Sequence, residues 1–280
     1  MCVNRRQILK GVVIGVGLSA GGALGKALAR DQRKIPVGLQ LYSVRSEAQK
    51  DLPRVLAAVR EAGYEGVEFA GYYGHSAAAL KKMLDEVGLL CCGSHTPWES
   101  LQPKQLAQTI EFNQVLGNKY LICPYLPSSL LVPKERAIET AKIFNELAEK
   151  VAEVGMFVGY HAHAHDFARV NGETAWEVFF RHTKPEVVMQ MDVGNCLAGG
   201  GDPYLMLEKF PGRSKTIHLK EHGGPEGAIL GEGTVDWGRI FQLCETIGGT
   251  EWYIVEQETH RFPPLETVRR CRENLRKLGR

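Results

Sequence analysis

The chain has no C-x-x-C pair and no cysteine beside a histidine. Apart from Cys2, its cysteines at 91, 92, 123, 196, 244 and 271 are scattered, which argues against a zinc ribbon or a disulfide scaffold. Several lie in apolar surroundings and read as small core residues. The chain also lacks a long hydrophobic run: the uncharged stretch from Gly11 to Gly25 is short and glycine-rich for a spanning helix, so a permanent membrane anchor is the weaker reading. Charge of one sign is missing too. The formal charge is +2, yet the first 29 residues carry Arg5, Arg6, Lys10 and Lys26 and no acid; without those four, residues 30–280 carry −2. No basic surface remains that would mark nucleic acid as a partner. What is present, 44% hydrophobic and 24% charged residues in 280, is the composition of a folded chain able to bury a sizeable core.

The basic start, the uncharged run and Ala27-Leu28-Ala29, a small-x-small cleavage pattern, read together as an export signal over residues 1–29. "NRRQILK" resembles the twin-arginine motif, whose pathway exports proteins already folded. The expectation is a periplasmic or otherwise exported protein with no membrane contact beyond export, and one folded domain over 30–280.

From Ile35 onward, short apolar runs alternate with segments of helical period: "VGLQLYS", "GVEFA", "LLCCGSH", "YLICPY", "MFVGYHAH", "VVMQMDVG", "TIHLKEH" and "WYIVEQE". Helices are predicted near 51–62, 76–87, 102–116, 134–154, 174–182, 203–210, 237–247 and 265–278. A glycine repeatedly separates helix from strand, as in "REAGYEGVEF" and "DEVGLLCCG", where it supplies the left-handed residue that ends a helix. Eight βα units with uniformly apolar strands predict a closed parallel (β/α)8 TIM barrel. A doubly wound open sheet is disfavoured, because no G-x-G-x-x-G turn follows the first strand.

In such barrels the active site lies at the C-terminal ends of the strands. Here those ends are polar: Glu68 on the second strand, His95 on the third, His161 and His163 on the fifth, Asp192 on the sixth, His218 and Lys220 on the seventh, Glu256 and Glu258 on the eighth. Each of these alone has a plain reading as a hydrogen-bonded strand-end residue or, for Asp192, a helix cap. His161, Asp192, His218 and Glu256, however, close four consecutive strands at comparable height. Two imidazoles and two carboxylates suit one divalent ion, Mn²⁺ ahead of Co²⁺, Zn²⁺ or Mg²⁺. A competing H-x-H site would use His161 and His163. His165 stands roughly 13 Å from His161 at about 3.3 Å per residue, too far to share the ion, and is expected with Asp166 in a loop facing substrate or water. Glu68, His95, Asn195, Tyr42 and Trp98 are the candidates for substrate contact, with Tyr125 joining Tyr42 and Trp98 in a stacking wall.

The ordered motifs "GLQLYSVR", "GYEGVEFAG", "GYHAHAHDF", "MDVGNCLAGGGDP", "IHLKEH" and "WYIVEQE" resemble the sugar phosphate isomerase and epimerase family, the xylose isomerase-like TIM barrels, across residues 35–280. The resemblance implies a divalent metal, with the family's strand 6 Asp falling on Asp192, its strand 7 His on His218, its strand 8 Glu on Glu256 and its strand 5 ligand on His161. Two features depart from the pattern. Ketose epimerases have Glu where this chain has His161, and a related subgroup has Y-H-N-H-x-x-E-F where Ala162 and Asp166 stand here. The expectation is an enzyme that removes a proton α to the carbonyl of a small sugar or keto-sugar, with Glu256 or His163 carrying the proton and Lys220 as a further catalytic candidate that could hold a carbonyl oxygen or a phosphate or simply pair with a neighbouring acid. Isomerisation or epimerisation is the first expectation. A β-eliminating lyase or dehydratase acting on keto-sugars or 3-keto-glycosides is the second, and a catalytically silent sugar-binding protein the third. The oligomeric state is left open, a homo-oligomer included.

Replacing Arg5 and Arg6 by lysine is expected to leave the protein in the cytoplasm at unprocessed length. Normal export of that variant in cell fractionation would remove the twin-arginine assignment.

Overall fold

A computed structural model describes residues 34–170 and 172–280; the expected export segment lies outside them. Residues Ile35–Arg280 form one compact unit. Its eight principal strands are β1 (Val37–Gln40), β2 (Gly66–Ala70), β3 (Leu90–His95), β4 (Tyr120–Cys123), β5 (Phe157–His161), β6 (Val188–Gln190), β7 (Thr216–Leu219) and β8 (Trp252–Val255). Neighbours pair in parallel in the order β6-β5-β4-β3-β2-β1-β8-β7. The ring closes between β6 and β7 through a parallel bridge from Asp192 to His218, with the His218 amide donating to Met191 O at 2.8 Å. The expected (β/α)8 barrel is the observed architecture.

The helices follow the predicted plan. Leu52–Ala62, Ala77–Val87 and Leu106–Leu116 end at Gly63, Gly88 and Gly117, all with positive φ, where the sequence places its separating glycines. Further helices span Lys134–Ala152, Ala175–His182, Pro203–Lys209, Trp237–Leu243 and Pro264–Lys277. The last of these locks onto the first: Tyr64 Oη donates to Val268 O, Arg276 Nη2 to Ala62 O and Arg272 Nε to Gly63 O, at 2.8–3.0 Å. The Ala62 and Gly63 carbonyls end a helix and would otherwise lack a partner within it, so each of their bonds contributes about 1 kcal/mol, and together with the Tyr64 bond they close the helical ring.

Two strand ends differ from expectation. β1 stops at Gln40, whose side chain accepts the Tyr42 amide and turns the chain into a short 3₁₀ helix, Leu41–Val44. The sixth strand stops at Gln190, because Asp192 starts an unforeseen helix, Val193–Ala198.

Strand alternation sorts the barrel interior into layers. Low in the barrel, Tyr120, Ile122 and Val188 pack together with Phe157 and Trp252. Gly159 makes room for them, since a Cβ there would lie 2.6 Å from Val188 O and 2.8 Å from Ile122 Cδ1. Val188 is followed two residues on by Gln190, and β1, β2 and β7 bring Gln40, Glu68, Thr216 and His218 into the same interior, all fully buried.

Candidate metal centre

A polar layer inside a protein is stable only if its groups satisfy one another. Glu68 is the hub. Its Oε2 accepts from Gln40 Nε2 at 2.8 Å and His218 Nε2 at 2.6 Å, and its Oε1 from Gln190 Nε2 at 2.8 Å. His95 Nε2 stands 3.3 Å from the same Oε2 and 3.0 Å from Gln190 Oε1. A register shift between Val67 and Glu68 sets this carboxylate over Gly93, where a Cβ would lie 2.4 Å from Oε1. The expectation that Glu68 contacts substrate is corrected here: it is fully buried and its oxygens are taken, so it orients His218.

Above this layer His161, Asp192, His218 and Glu256 converge, each buried, with one donor atom apiece inside a mutual 4.8 Å. His218 Nδ1 lies 2.6 Å from Glu256 Oε2 and 3.8 Å from Asp192 Oδ2, and His161 Nε2 lies 3.9 Å from Glu256 Oε2. His161 Nδ1 faces Gln190 Oε1 at 3.1 Å, which fixes the ring so that Nε2 points into the cluster. Asp192 is the helix cap that its sequence position allowed, and it also leaves one oxygen free for the ligand role. Its Oδ1 caps the following helix by accepting the Asn195 amide at 2.7 Å, while Oδ2 is buried with no hydrogen-bond partner. An orphaned buried carboxylate oxygen between two imidazoles and a second carboxylate is what a cation would satisfy, so the residues present fit a divalent ion.

A second group of donors, His95, His161 and His218, meets the same distance limit lower in the barrel. Among the described residues His163 belongs to neither group of three or more donors. Its ring stands edge-on to His161 at 4.9 Å between centroids, and its Nδ1 is buried without a partner.

Burial alone would disfavour every charge here, yet the charges sort. Burial pushes the Asp192 carboxyl up to about 7. It drives His161 well below the usual imidazole range, helped by His218 and His95, and lowers His163 to about 4. For His218, burial is outweighed by Glu68 and Glu256, which raise it to about 10. Burial would likewise raise Glu68 and Glu256, but their histidine neighbours, with Lys220 beside Glu256, hold both below the usual carboxylate range. Lys220 is held above its ordinary value by Asp192, Glu256 and Glu258 against the cost of burial. His218 is therefore an imidazolium clamped between two carboxylates. Replacing its Nδ1 proton by a divalent ion, with Asp192 ionised, sets the three buried carboxylates Glu68, Asp192 and Glu256 against the ion and Lys220, whose ammonium also pairs with the more exposed Glu258.

The other expected contacts divide. Lys220 Nζ donates to Asn195 Oδ1 at 3.0 Å and pairs with Glu258, while Asn195 Nδ2 donates to Ala162 O at 3.0 Å. Both therefore stand beside the cluster. Tyr42 is exposed, with the Arg45 guanidinium 4.1 Å from its ring centre. Trp98 is stacked on Phe144 at 5.7 Å, an anchor of the helix packing more than a free sugar platform. Asp166 is also corrected: it is fully buried, accepting from Tyr160 Oη and the His163 amide, and braces the strand 5 loop without facing solvent. Tyr125, half exposed, packs against His163 and His165. The sequence reading missed Gln40 and Gln190. Their signal was a glutamine two residues before the turn of an otherwise apolar strand, as in "VVMQMD".

Metal loading is expected to displace the His218 proton. Below about pH 10 the metal-free imidazole is doubly protonated, so affinity should rise about tenfold per pH unit above pH 7, and more steeply below it, where Asp192 also holds a proton. Calorimetry in buffers of different ionisation enthalpy would read about one proton released at pH 8; no release would contradict the assignment. Asp192→Ala and His218→Ala should lose the ion, whereas its retention in both and loss in His163→Ala would restore the H-x-H site.

A family model described as xylose isomerase-like TIM barrel matches residues 56–278. An inosose dehydratase of Erwinia tasmaniensis is 24% identical over 81% of this chain and 90% of its own length. A rhizopine catabolism protein of Rhizobium meliloti is 25% identical over 81% and 82%. Among solved structures, a sugar phosphate isomerase/epimerase from Parabacteroides distasonis superposes with a TM-score of 0.77 and 27% identity, covering 87% of this chain and 98% of that one. With its barrel, its strand-end cluster and a family match over most of its length, the chain belongs to the xylose isomerase-like TIM barrel family.

Proposed function

We propose that this enzyme removes a proton α to the carbonyl of a keto-sugar and expels the substituent on the next carbon, using a divalent metal held by His161, Asp192, His218 and Glu256. Mn²⁺ leads the candidates, ahead of Co²⁺, Zn²⁺ and Mg²⁺, on the mixed nitrogen and oxygen donor set. The bound ion would polarise the carbonyl and favour charge developing on its oxygen.

The observation that carries this reading is the unlike pair beside Glu256. His163 is neutral at neutral pH with an unpartnered buried Nδ1, and Lys220 is a held cation; both feel the Glu256 charge. His163 takes the α proton, the C–H electron pair becomes the new C=C bond, and the β C–O pair leaves with its oxygen. Lys220 donates a proton to that oxygen, and the proton on His163 returns to solvent as Lys220 is reprotonated. Asn195 aims the ammonium by accepting one of its hydrogens. Epimerisation by two bases on opposite faces finds no second free carboxylate, since Glu68 and Asp166 are buried and fully engaged. The dehydratase relatives, matched over four fifths of the chain, support the elimination. Isomerisation shares the first step and returns the proton to the neighbouring carbon. The Parabacteroides distasonis structure keeps it as the second reading.

Metal-loaded protein incubated with keto-sugars and 3-keto-glycosides in D₂O should yield the unsaturated ketone and the free β-substituent. Isomer carrying solvent deuterium, without eliminated product, would select the second reading. His163→Ala should lower kcat by at least about 10²-fold with metal content unchanged, the scale of a lost general base. An unchanged kcat would remove His163 from the mechanism.

A further inference from the structure

The short helix Val193–Ala198 and the glycines that follow it touch both elements that bear the proposed proton-transfer groups. On one side is the end of β7 with Lys220. A Cβ on Gly194 would lie 2.8 Å from Glu221 O, 2.9 Å from Lys220 Cγ and 3.0 Å from Lys220 O. On the other side is the 3₁₀ turn Ala164–Phe167, for which His163 is the N-cap. A Cβ on Gly199 would lie 2.2 Å from Ala164 O, and one on Gly201 2.6 Å from Phe167 Cδ1. Glu221 O, Lys220 O and Ala164 O are backbone atoms, which cannot swing aside as the end of a long side chain does. None of these glycines has a positive φ, so contact alone, and not backbone conformation, opposes alanine there.

Polar contacts span the same gap. Asn195 Nδ2 donates to Ala162 O at 3.0 Å on the β5 side, and Asn195 Oδ1 accepts from Lys220 Nζ at 3.0 Å on the β7 side. The helix is itself tied to the metal centre, because Asp192 Oδ1 accepts the Asn195 amide at 2.7 Å. Six helical residues thus hold the base-bearing loop, the acid-bearing strand end and a metal ligand at set distances from one another.

We infer that the helix Val193–Ala198 is the spacer that sets His163 and Lys220 apart, with Gly194 the positioning residue for the acid and Gly199 the positioning residue for the base. This rests on the roles given to His163 and Lys220 in the proposed elimination. A methyl group at 194 moves Lys220 and leaves His163 in place; one at 199 does the converse. Methyl and nitrophenyl 3-keto-glycosides in D₂O separate the two effects, since an alkoxide needs a proton to leave and a nitrophenoxide does not. Wild-type protein should eliminate both. Gly194→Ala should lose at least about 10²-fold in kcat on the methyl substrate, with KM and metal content unchanged, while it still expels nitrophenoxide and exchanges the α hydrogen for deuterium. Gly199→Ala should lose the exchange and both eliminations. Apart from turnover, crystal structures of the metal-free variants should show Lys220 Nζ parted from Asn195 Oδ1 in Gly194→Ala and His163 displaced in Gly199→Ala. Circular dichroism checks folding; Asn195→Ala, which adds no bulk, covers failure of the glycine variants and should lower kcat about tenfold or more on the methyl substrate alone. Equal losses on both substrates in both glycine variants, or wild-type rates in either of them or in Asn195→Ala, would overturn the inference. A wild-type protein that eliminates neither substrate would overturn the proposed reaction, and the two crystal structures would still decide the spacer.

Discussion

The imidazole of His218, held at 2.6 Å from both Glu68 and Glu256, is the contact on which the barrel mouth depends. Two carboxylates cannot stay ionised inside a protein without a counter-charge, and removing that charge leaves each buried and unpaired at a cost of several kcal/mol. The same residue forms the bridge to Asp192 that closes the barrel between β6 and β7. Charge balance and barrel closure therefore meet in one side chain, and a divalent ion at Nδ1 can replace the proton without unbalancing either.

From that clamp the remaining groups acquire their roles. Glu68 holds Nε2 from below and is itself held by Gln40 and Gln190, with the missing side chain of Gly93 giving it space. His161 is kept neutral by burial and by the imidazolium beside it, a condition for ligating a metal. Lys220, drawn by three carboxylates, keeps its proton, while His163, whose burial outweighs the pull of Glu256, sheds its own. One pocket thus holds a base and an acid of opposite charge state at the same pH, which is the requirement for removing one proton while delivering another.

Much of this was legible in the sequence because it follows period two. Once β5, β6, β7 and β8 are recognised, His161, Asp192, His218 and Glu256 fall at matching strand ends, and the separating glycines mark where each helix stops. What was not legible depends on contacts that the alternation of one strand does not reveal. Glu68 looks like another strand-end acid until β2 is placed across from His218, 150 residues away. Asp166 looks like a loop acid until Tyr160, six residues earlier, turns its hydroxyl back onto it. Trp98 looks like a sugar platform until the helix Lys134–Ala152 sets Phe144 against its ring. The helix Val193–Ala198 escaped because "MDVGN" carries only its cap, Asp192, in a run otherwise continuous with a strand.

The central claim is that the ion is held by the upper set of donors and that Glu68 stays outside its shell. X-ray absorption at the metal edge of the loaded protein separates the two donor groups directly, since one supplies two imidazoles and two carboxylates and the other three imidazoles. Two histidine nitrogens with carboxylate oxygens completing the shell is the predicted spectrum, unaltered in a His95→Ala variant. Three imidazoles in the wild type, falling to two in that variant, would place the ion in the lower group and contradict the account.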